Sequence, residues 1–427
     1  MRRIMPLLLA LWPVLVASAQ APPVAQPPPM VQPPAWDTIR RVEMRGGLRL
    51  FWDVGGGDRA FNVAQAKEHG FEPVDLLNTF SDYPGGQKEN ISTYLKDNRT
   101  NPWRKPDFFE RIIRRNIADR GHEGAIFVHD IEFGYEEDVD QAWADEAARA
   151  ASGVADREAF AAAYWREWAT WYSLPCRWSK EAAPTQPVGI YGPQPFRRDY
   201  WGVAGKTAQQ IDGSHRTDAE LYRHIAPYVD FIVASVYLFY DDPGSVYYLA
   251  ANIEENVARA KTLGDKPVYA YEWLRYHDSN QKLRGQELAP CWAEAMAVVP
   301  YFCGARGVVL WGWEPKAKGQ YYERLPRFVD SVGRVADLSE RLAKATPEPC
   351  EPAHVLWNAK RPLVRALRLA DGQWAVLATN PWQAPDSDHQ AEVTLAGRRY
   401  ELPLHGRDTE IFLCRDGKAE KVAMPRG

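Results

Sequence analysis

Short apolar segments alternate with longer amphipathic segments from Leu48 to about residue 345. The short segments are rich in β-branched and aromatic residues and predict strands at Leu48–Val54, Ala125–Glu132, Pro187–Tyr191, Phe231–Leu238, Pro267–Trp273 and Gly307–Trp311. The longer segments space their apolar residues three and four positions apart, which is typical of helices that bury one face. They predict helices at Phe61–His69, Pro106–Asp119, Arg157–Tyr172, Asp218–Ile225, Ala250–Leu263, Leu288–Phe302 and Glu323–Ala345.

This alternation predicts an α/β fold. The strands are apolar on both faces, as parallel strands covered by helices are. About seven strand–helix units favour a closed barrel over an open sheet. Gly55-Gly56-Gly57 follows the first strand without the spacing of a dinucleotide-binding turn. We therefore predict a (β/α) TIM-like barrel over residues 36–346.

The pattern changes after Pro347-Glu348-Pro349. Short strands separated by turns follow, with no helix predicted between them. They lie at His354–Trp357, Val364–Leu369, Trp374–Thr379, Glu392–Leu395, Tyr400–Leu404 and Glu410–Cys414. Residues 347–427 are therefore predicted to form a small all-β sandwich domain.

The N-terminal segment has the pattern of a secretory signal peptide. Arg2 and Arg3 precede an apolar run, which ends at Ala17-Ser18-Ala19. The run is shorter than the ~20 residues that a membrane-spanning helix needs. We predict a signal peptide at 1–19, a Pro-rich tether at 20–35, and a secreted or periplasmic protein without a membrane span.

Charge and cysteine content exclude several classes of function. The formal net charge is −4 and the basic residues are not clustered, so nucleic acid is not an expected partner. The five cysteines lack metal-type spacing, and no metal or other cofactor is expected. An oxidising compartment would allow one or two disulfides and leave at least one thiol. The cysteines are Cys176, Cys291, Cys303, Cys350 and Cys414.

Two carboxyl groups at the end of one predicted strand are the strongest candidates for catalysis. Asp130 and Glu132 are two positions apart, so they share one face of a strand. Reacting groups of a parallel barrel lie at the carboxyl ends of its strands. Two neighbouring carboxyls disfavour double ionisation, so one keeps a proton, as a general acid must. The alternative is a solvated acidic loop, since further acidic residues follow at 136–138 and 140.

Aromatic residues end most of the other predicted strands. The chain has 17 Trp and 20 Tyr, many of which must pack in the core. Four consecutive strand ends, however, carry Tyr or Trp: Tyr191, Tyr237, Tyr271 with Trp273, and Trp311 with Trp313. Aromatic rings around two carboxyl groups are typical of a sugar-binding cleft.

These segments resemble the hyaluronidase-type barrels, the family 56 glycoside hydrolases. The similar motifs are LRLFWDVGG, DIE at 130–132, IYG at 190–192, SVYL, PVYAYEWLRYHD and GVVLWG. They occur in the same order and at similar intervals from about Leu48 to Val335. The resemblance implies a barrel that hydrolyses polysaccharides.

Roles for individual residues follow from this resemblance. It implies that Glu132 is the proton donor and that Asp130 orients a substrate acetamido group whose carbonyl oxygen is the nucleophile. It further implies that Tyr191 and Tyr237 assist that group and that Trp311 walls its pocket.

Four more residues that end strands are expected to bind substrate: Tyr271, Trp313, Glu272 and Asp53. Tyr271 and Glu272 are neighbours, so strand alternation places only one of them in the cleft. If Tyr271 faces inward, as an aromatic sugar platform would, Glu272 points into the helix layer or toward a neighbouring loop.

Three functions remain open from the sequence. The first is a retaining hydrolase of an N-acetylhexosamine-containing polysaccharide, similar to hyaluronan or chondroitin, with Glu132 as acid/base. The second is a retaining glycosidase of another polysaccharide, in which Glu272 is the nucleophile. The third is a barrel that binds polysaccharide without cleaving it.

Overall fold

The computed structural model describes residues 36–55, 59–80, 90–98, 100–132, 139–195, 207–313 and 323–424. The side chains of residues 211–215, 217 and 313 are also outside this description. The predicted signal peptide and tether, residues 1–35, lie outside the described residues.

Seven parallel strands form a nearly closed barrel in the order β4-β3-β2-β1-β7-β6-β5. The strands are β1 (Arg49–Gly55), β2 (Glu72–Asn78), β3 (Ile126–Asp130), β4 (Val188–Tyr191), β5 (Ile232–Ser235), β6 (Val268–Trp273) and β7 (Gly307–Trp313). Their central residues are buried on both faces, as the apolar segments of the sequence predict.

The barrel closes between β4 and β5 through a few specific contacts. The backbone N–H of Asp230 donates to the Val188 carbonyl at 2.7 Å. The Asp230 carboxylate accepts the Val188 N–H at 2.9 Å. The Phe231 ring fills the space over Gly189, where a β-carbon would collide with it. A glycine on β4 therefore lets an aromatic ring complete the barrel wall.

Helices surround this barrel. They are α1 (Arg59–Glu68), α2 (Ile91–Asn98), α3 (Phe109–Arg120), α4 (Val139–Ala144), α5 (Glu146–Ser152), α6 (Arg157–Ala182), α7 (Ala208–Ile225), α8 (Gly244–Thr262), α9 (Pro290–Phe302) and α10 (Leu325–Leu342). The apolar positions at 109, 112, 113 and 117 of α3 are all buried. Asp156 caps the N-terminus of α6 by accepting the Ala159 N–H at 2.8 Å.

The C-terminal domain is antiparallel and packs a two-stranded hairpin over a five-stranded sheet ordered β14-β13-β10-β9-β8. Its elements are β8 (Thr346–Pro347), α11 (Ala353–Asn358), β9 (Leu363–Arg368), β10 (Trp374–Thr379), β11 (Asp388–Leu395), β12 (Arg398–His405), β13 (Thr409–Arg415) and β14 (Lys418–Lys421). Buried residues of the hairpin, including Tyr400 and Leu402, pack on Val376 and Phe412 of the sheet. A TIM-like barrel followed by a small β sandwich is confirmed.

Two local predictions were wrong. Strand β2 was missed, and the predicted strand His354–Trp357 is the short helix α11. Trp357 lies in this helix and its ring contacts Trp382 at 4.8 Å and Tyr247 at 5.7 Å. The sequence alone indicated a strand for this segment, whereas in the structure it is a helix that places Trp357 in an aromatic cluster with Trp382 and Tyr247.

A buried ion pair joins the two domains. Arg334 of α10 is fully buried and donates to Glu410 of β13 at 3.1 Å and to the Thr409 carbonyl at 2.9 Å. On the other side, the indole of Trp382 donates to the Tyr247 hydroxyl of α8 at 2.9 Å. The β domain is thus fixed to two helices of the barrel.

All five cysteines are free thiols in the structure. In the part of the chain that is described, no helix has the length and hydropathy needed to cross a membrane.

Candidate active site

The end of β3 is held on both sides by its neighbours. The Thr79 N–H donates to the Asp130 carbonyl at 3.0 Å, and the Ile131 N–H donates to the Tyr191 carbonyl at 2.9 Å. Gly192 follows with φ of 113°, and a β-carbon there would lie 2.1 Å from the Ile131 carbonyl oxygen. Only glycine permits this approach. The segment that carries Asp130 and Glu132 is therefore fixed against the end of β4.

His129 anchors the same strand from behind. Its Nδ1 lies 2.8 Å from the Thr79 hydroxyl and its Nε2 lies 2.8 Å from the Ser179 hydroxyl of α6. Burial lowers the pKa of His129 to about 3, so the ring is neutral. His129 faces the helix layer and connects β3 to α6.

Asp130 and Glu132 line one cavity of about 290 Å³ at the carboxyl ends of the strands. Aromatic rings from β4, β6, β7 and the segment after β5 form most of its wall. The lining residues are Leu76, Asn78, Asp130, Glu132, Tyr191, Tyr237, Tyr271, Trp273, His277, Asp278 and Trp311. Both predicted carboxyl groups thus share a cleft with Tyr191, Tyr237, Tyr271 and Trp311.

The environment of Glu132 favours its protonated form. Its side chain is exposed at the cleft. The surrounding protein nevertheless removes part of its hydration, which raises the pKa of its carboxyl group. A hydrogen bond from Tyr191 acts in the opposite direction, because it stabilises the ionised carboxylate. A carboxyl group with a raised pKa in a cleft is suited to donate a proton.

Tyr191 and Tyr237 provide hydroxyl groups beside this carboxyl. Their rings are 6.0 Å apart, and the Tyr191 hydroxyl lies 3.0 Å from the Ser235 hydroxyl. Burial raises the pKa of both phenols well above the ordinary value. Both therefore keep their protons at neutral pH and can donate hydrogen bonds to a bound ligand.

Trp273 and Trp311 form an aromatic corner next to Tyr237. The two indoles meet edge to face at 5.0 Å, and the Trp311 ring is 5.4 Å from that of Tyr237. Such faces can pack on the apolar side of a sugar ring. Trp313 ends β7, and its side chain lies outside the described residues.

Tyr271 faces the cleft, but Asp53 does not line it. The Tyr271 hydroxyl donates a hydrogen bond to the Asp53 carboxylate inside the barrel. Burial is the main reason that the pKa of Asp53 rises to about 7, and the bond from Tyr271 opposes this rise. The structure does not support the prediction that Asp53 contacts substrate, because Asp53 is buried, is absent from the cavity lining and accepts the Tyr271 hydroxyl.

Glu272 is placed outside the cleft. It is 0 % exposed, and within the described chain no hydrogen bond reaches either of its carboxyl oxygens. Burial raises its pKa well above the ordinary value, and the pKa of Tyr301 on α9 is raised by burial and also by the neighbouring Glu272 carboxyl. Side chains alternate along β6, so Glu272 points toward the helix layer while Tyr271 points inward. The prediction that Glu272 binds substrate is therefore corrected.

Five lining residues were not singled out as site residues from the sequence. Leu76 and Asn78 come from β2, which the apolar pattern does not predict, and Trp273 is predicted only as an aromatic strand end. His277 and Asp278 follow β6, at the end of the motif PVYAYEWLRYHD. Their position directly after a strand end is the feature of the sequence that could have indicated a place in the site. Among the described residues, no three His, Cys, Asp or Glu side chains are grouped to hold a metal ion.

Comparisons with known proteins find similar folds at low similarity. No protein-family model and no curated protein matches the chain. Bee venom hyaluronidase is 14% identical, with 69% of this chain and 100% of that chain covered and a TM-score of 0.46. A putative alpha-galactosidase from Bacteroides fragilis is 11% identical, with 83% and 64% covered and a TM-score of 0.44. An endo-1,4-beta-D-mannanase from Thermotoga petrophila is 13% identical, with 68% and 99% covered and a TM-score of 0.35. At these TM-scores the similarities assign no activity to this chain.

Proposed function

We propose that this chain is a glycoside hydrolase that cleaves an N-acetylhexosamine-containing polysaccharide, similar to hyaluronan or chondroitin. The observation that carries the proposal is the cleft in which Asp130 and Glu132 lie with Tyr191, Tyr237 and Trp311. Such a cleft combines a proton donor, hydrogen-bonding groups and aromatic faces, which together suit a sugar polymer. Export, predicted from residues 1–19, would bring the enzyme to extracellular polysaccharides.

In the proposed reaction, Glu132 first acts as an acid. It transfers its proton to the glycosidic oxygen while the bond from that oxygen to the anomeric carbon breaks. The carbonyl oxygen of the substrate's own acetamido group bonds to the anomeric carbon. Asp130 holds the acetamido N–H, and the Tyr237 hydroxyl donates to the same group. The cyclised intermediate keeps the sugar bound without a bond to the protein.

Glu132 then acts as a base. Its carboxylate takes a proton from a water molecule, and the water oxygen bonds to the anomeric carbon as the bond from the acetamido oxygen breaks. The acetamido group is restored, and Glu132 is protonated again. Two displacements at one carbon retain the anomeric configuration.

The placement of Glu272 argues against the second hypothesis. A protein nucleophile must reach the anomeric carbon, whereas Glu272 is buried behind β6 with a raised pKa that keeps it neutral. A neutral carboxyl group outside the cleft is a poor nucleophile. The third hypothesis is a barrel that binds polysaccharide without cleaving it. Such a barrel would not need a proton donor in the cleft.

The test compares wild type with Glu132→Gln on hyaluronan, chondroitin and chitin oligosaccharides. The substitution keeps shape and removes the transferable proton, so we expect kcat to fall ~10²–10⁴-fold with little change in glycan affinity. Product analysis by chromatography identifies the cleaved glycan. Equal turnover by the two proteins removes Glu132 from the mechanism, and binding without turnover by wild type favours the non-catalytic barrel.

A further inference from the structure

His277 lies in the loop after β6 and reaches the cleft beside Tyr237. Its backbone N–H donates to the Leu238 carbonyl at 2.8 Å, which ties this loop to the segment after β5. Its ring stacks on Tyr237 at 5.7 Å with an interplanar angle of 23° and contacts Phe239 at 4.7 Å. The ring is therefore held in one orientation next to a residue of the candidate site.

Hydrogen bonds to Nδ1 determine the tautomer of this ring. The backbone N–H of Ser279 donates to the Nδ1 of His277 at 3.2 Å, and the Ser279 hydroxyl lies 2.9 Å from the same atom. A backbone N–H can only donate, so Nδ1 must offer its lone pair. Burial lowers the pKa of His277, which favours the neutral ring. In the neutral ring the proton then sits on Nε2.

Nε2 is the far end of this side chain. Within the described chain, no hydrogen bond reaches it, and the ring forms part of the cavity wall. A sugar lying against the ring of Tyr237 would bring its oxygen substituents to the edge of that aromatic surface. A fixed, neutral N–H at this edge suits an uncharged sugar oxygen.

We propose that His277 is a substrate-binding residue whose Nε2–H donates a hydrogen bond to a hydroxyl oxygen of the sugar in the cleft. This inference rests on the proposed function and adds a specificity-determining contact to it. The loop bonds of Ser279 and Leu238 hold the donor in place before the glycan arrives. The residue therefore contributes to affinity for the substrate and takes no part in proton transfer.

Two variants separate the hydrogen bond from the packing. His277→Phe keeps an aromatic ring against Tyr237 and Phe239 and loses the donor. His277→Gln loses the ring and supplies an amide N–H at similar reach. On an oligosaccharide that wild type cleaves, we expect His277→Phe to raise KM about five- to tenfold, as loss of one hydrogen bond does. We expect kcat to stay within about twofold and His277→Gln to recover most of the affinity.

A binding measurement makes the test independent of catalysis. Calorimetric titration of hyaluronan and chitin hexasaccharides gives Kd for the wild-type, His277→Phe and His277→Gln forms, each also carrying Glu132→Gln so that the glycan is bound without being cleaved. Equal Kd for wild type and His277→Phe overturns the inference. Weaker binding by His277→Gln than by His277→Phe also overturns it, since packing alone then matters. Wild type that binds but does not cleave contradicts the proposed function and leaves the role of His277 supported if His277→Phe binds more weakly.

Discussion

Tyr271 and Glu272 are adjacent in β6 and their side chains lie on opposite sides of the barrel wall. The Tyr271 hydroxyl donates to Asp53 inside the barrel, while Glu272 is fully buried on the side of α9. This relationship argues against Glu272 as a nucleophile, because its carboxyl group does not reach the cleft. Among the described residues, the carboxyl groups that line the cleft are Asp130 and Glu132 at the end of β3 and Asp278 after β6.

Glu272→Gln should leave catalysis nearly intact and flatten the pH dependence of stability. The folded chain keeps the Glu272 proton, since burial raises its pKa, while the unfolded chain releases it above about pH 4.3. Stability therefore falls as the pH rises, by up to ~1.4 kcal/mol per pH unit for this one group. Glutamine is neutral in both states and removes this contribution.

The measurement is the free energy of unfolding from denaturant titrations between pH 4 and pH 7, together with kcat. The variant should show a smaller loss of stability with rising pH than wild type and a kcat within about threefold of it. Glu132→Gln is the matched control, because we expect the same substitution inside the cleft to remove activity. A Glu272→Gln protein that folds normally and is as inactive as Glu132→Gln would restore Glu272 as a catalytic candidate.

The sequence predicted the barrel and most of the cleft because both depend on local patterns. Apolar runs identified six of the barrel strands, and parallel strands bring their carboxyl ends together. Asp130, Tyr191 and Trp311 end such runs, so their convergence followed from topology alone.

The sequence did not predict β2, because the hydrogen-bond partners of its polar residues lie far away along the chain. Asp75 interrupts the strand, and its carboxylate accepts the Gly124 N–H at 2.6 Å and the Gln186 amide at 2.8 Å. The role of Asp53 was also hidden, since its partner Tyr271 is far along the chain. Such contacts appear only once the barrel has formed.

Tyr191→Phe should move the alkaline limb of the pH–rate profile. The acid requires protonated Glu132, so activity falls as the pH rises through its pKa. The Tyr191 hydroxyl lowers that pKa by stabilising the carboxylate. Removing the hydroxyl should raise the pKa and shift the limb to higher pH, while kcat falls on the order of a hundredfold.

The pH dependence of kcat/KM for Tyr191→Phe, wild type and Ser235→Ala provides the measurement. Ser235 lies 3.0 Å from the Tyr191 hydroxyl and is the control, since its replacement leaves the bond between Tyr191 and Glu132. A limb that moves to lower pH in Tyr191→Phe contradicts the assigned acid.

Arg334→Ala should destabilise the whole chain. Arg334 is fully buried and bridges α10 to Glu410 and Thr409 of the β domain. Glu410 keeps its ion pair with Lys421 at 2.6 Å, but the Thr409 carbonyl loses its donor, so we expect a cost of about 1–3 kcal/mol.

Chemical denaturation followed by tryptophan fluorescence measures this loss. Arg341→Ala is the control on the same helix, because Arg341 reaches Asp371 of the β domain at 2.8 Å in a half-exposed pair. An exposed pair contributes about 0–1 kcal/mol. Equal effects of the two substitutions would mean that the buried bridge does not hold the domains together.

The central claim, that the substrate's acetamido group is the nucleophile, is tested most directly by removing that group. The measurement is the initial rate of cleavage of one oligosaccharide in its N-acetylated and its de-N-acetylated form, at equal concentration and with wild-type protein. Cleavage of the N-acetylated form alone is the predicted result, since only this form can cyclise. Equal rates for the two forms, with a glycosyl adduct trapped on a protein carboxylate, would contradict it.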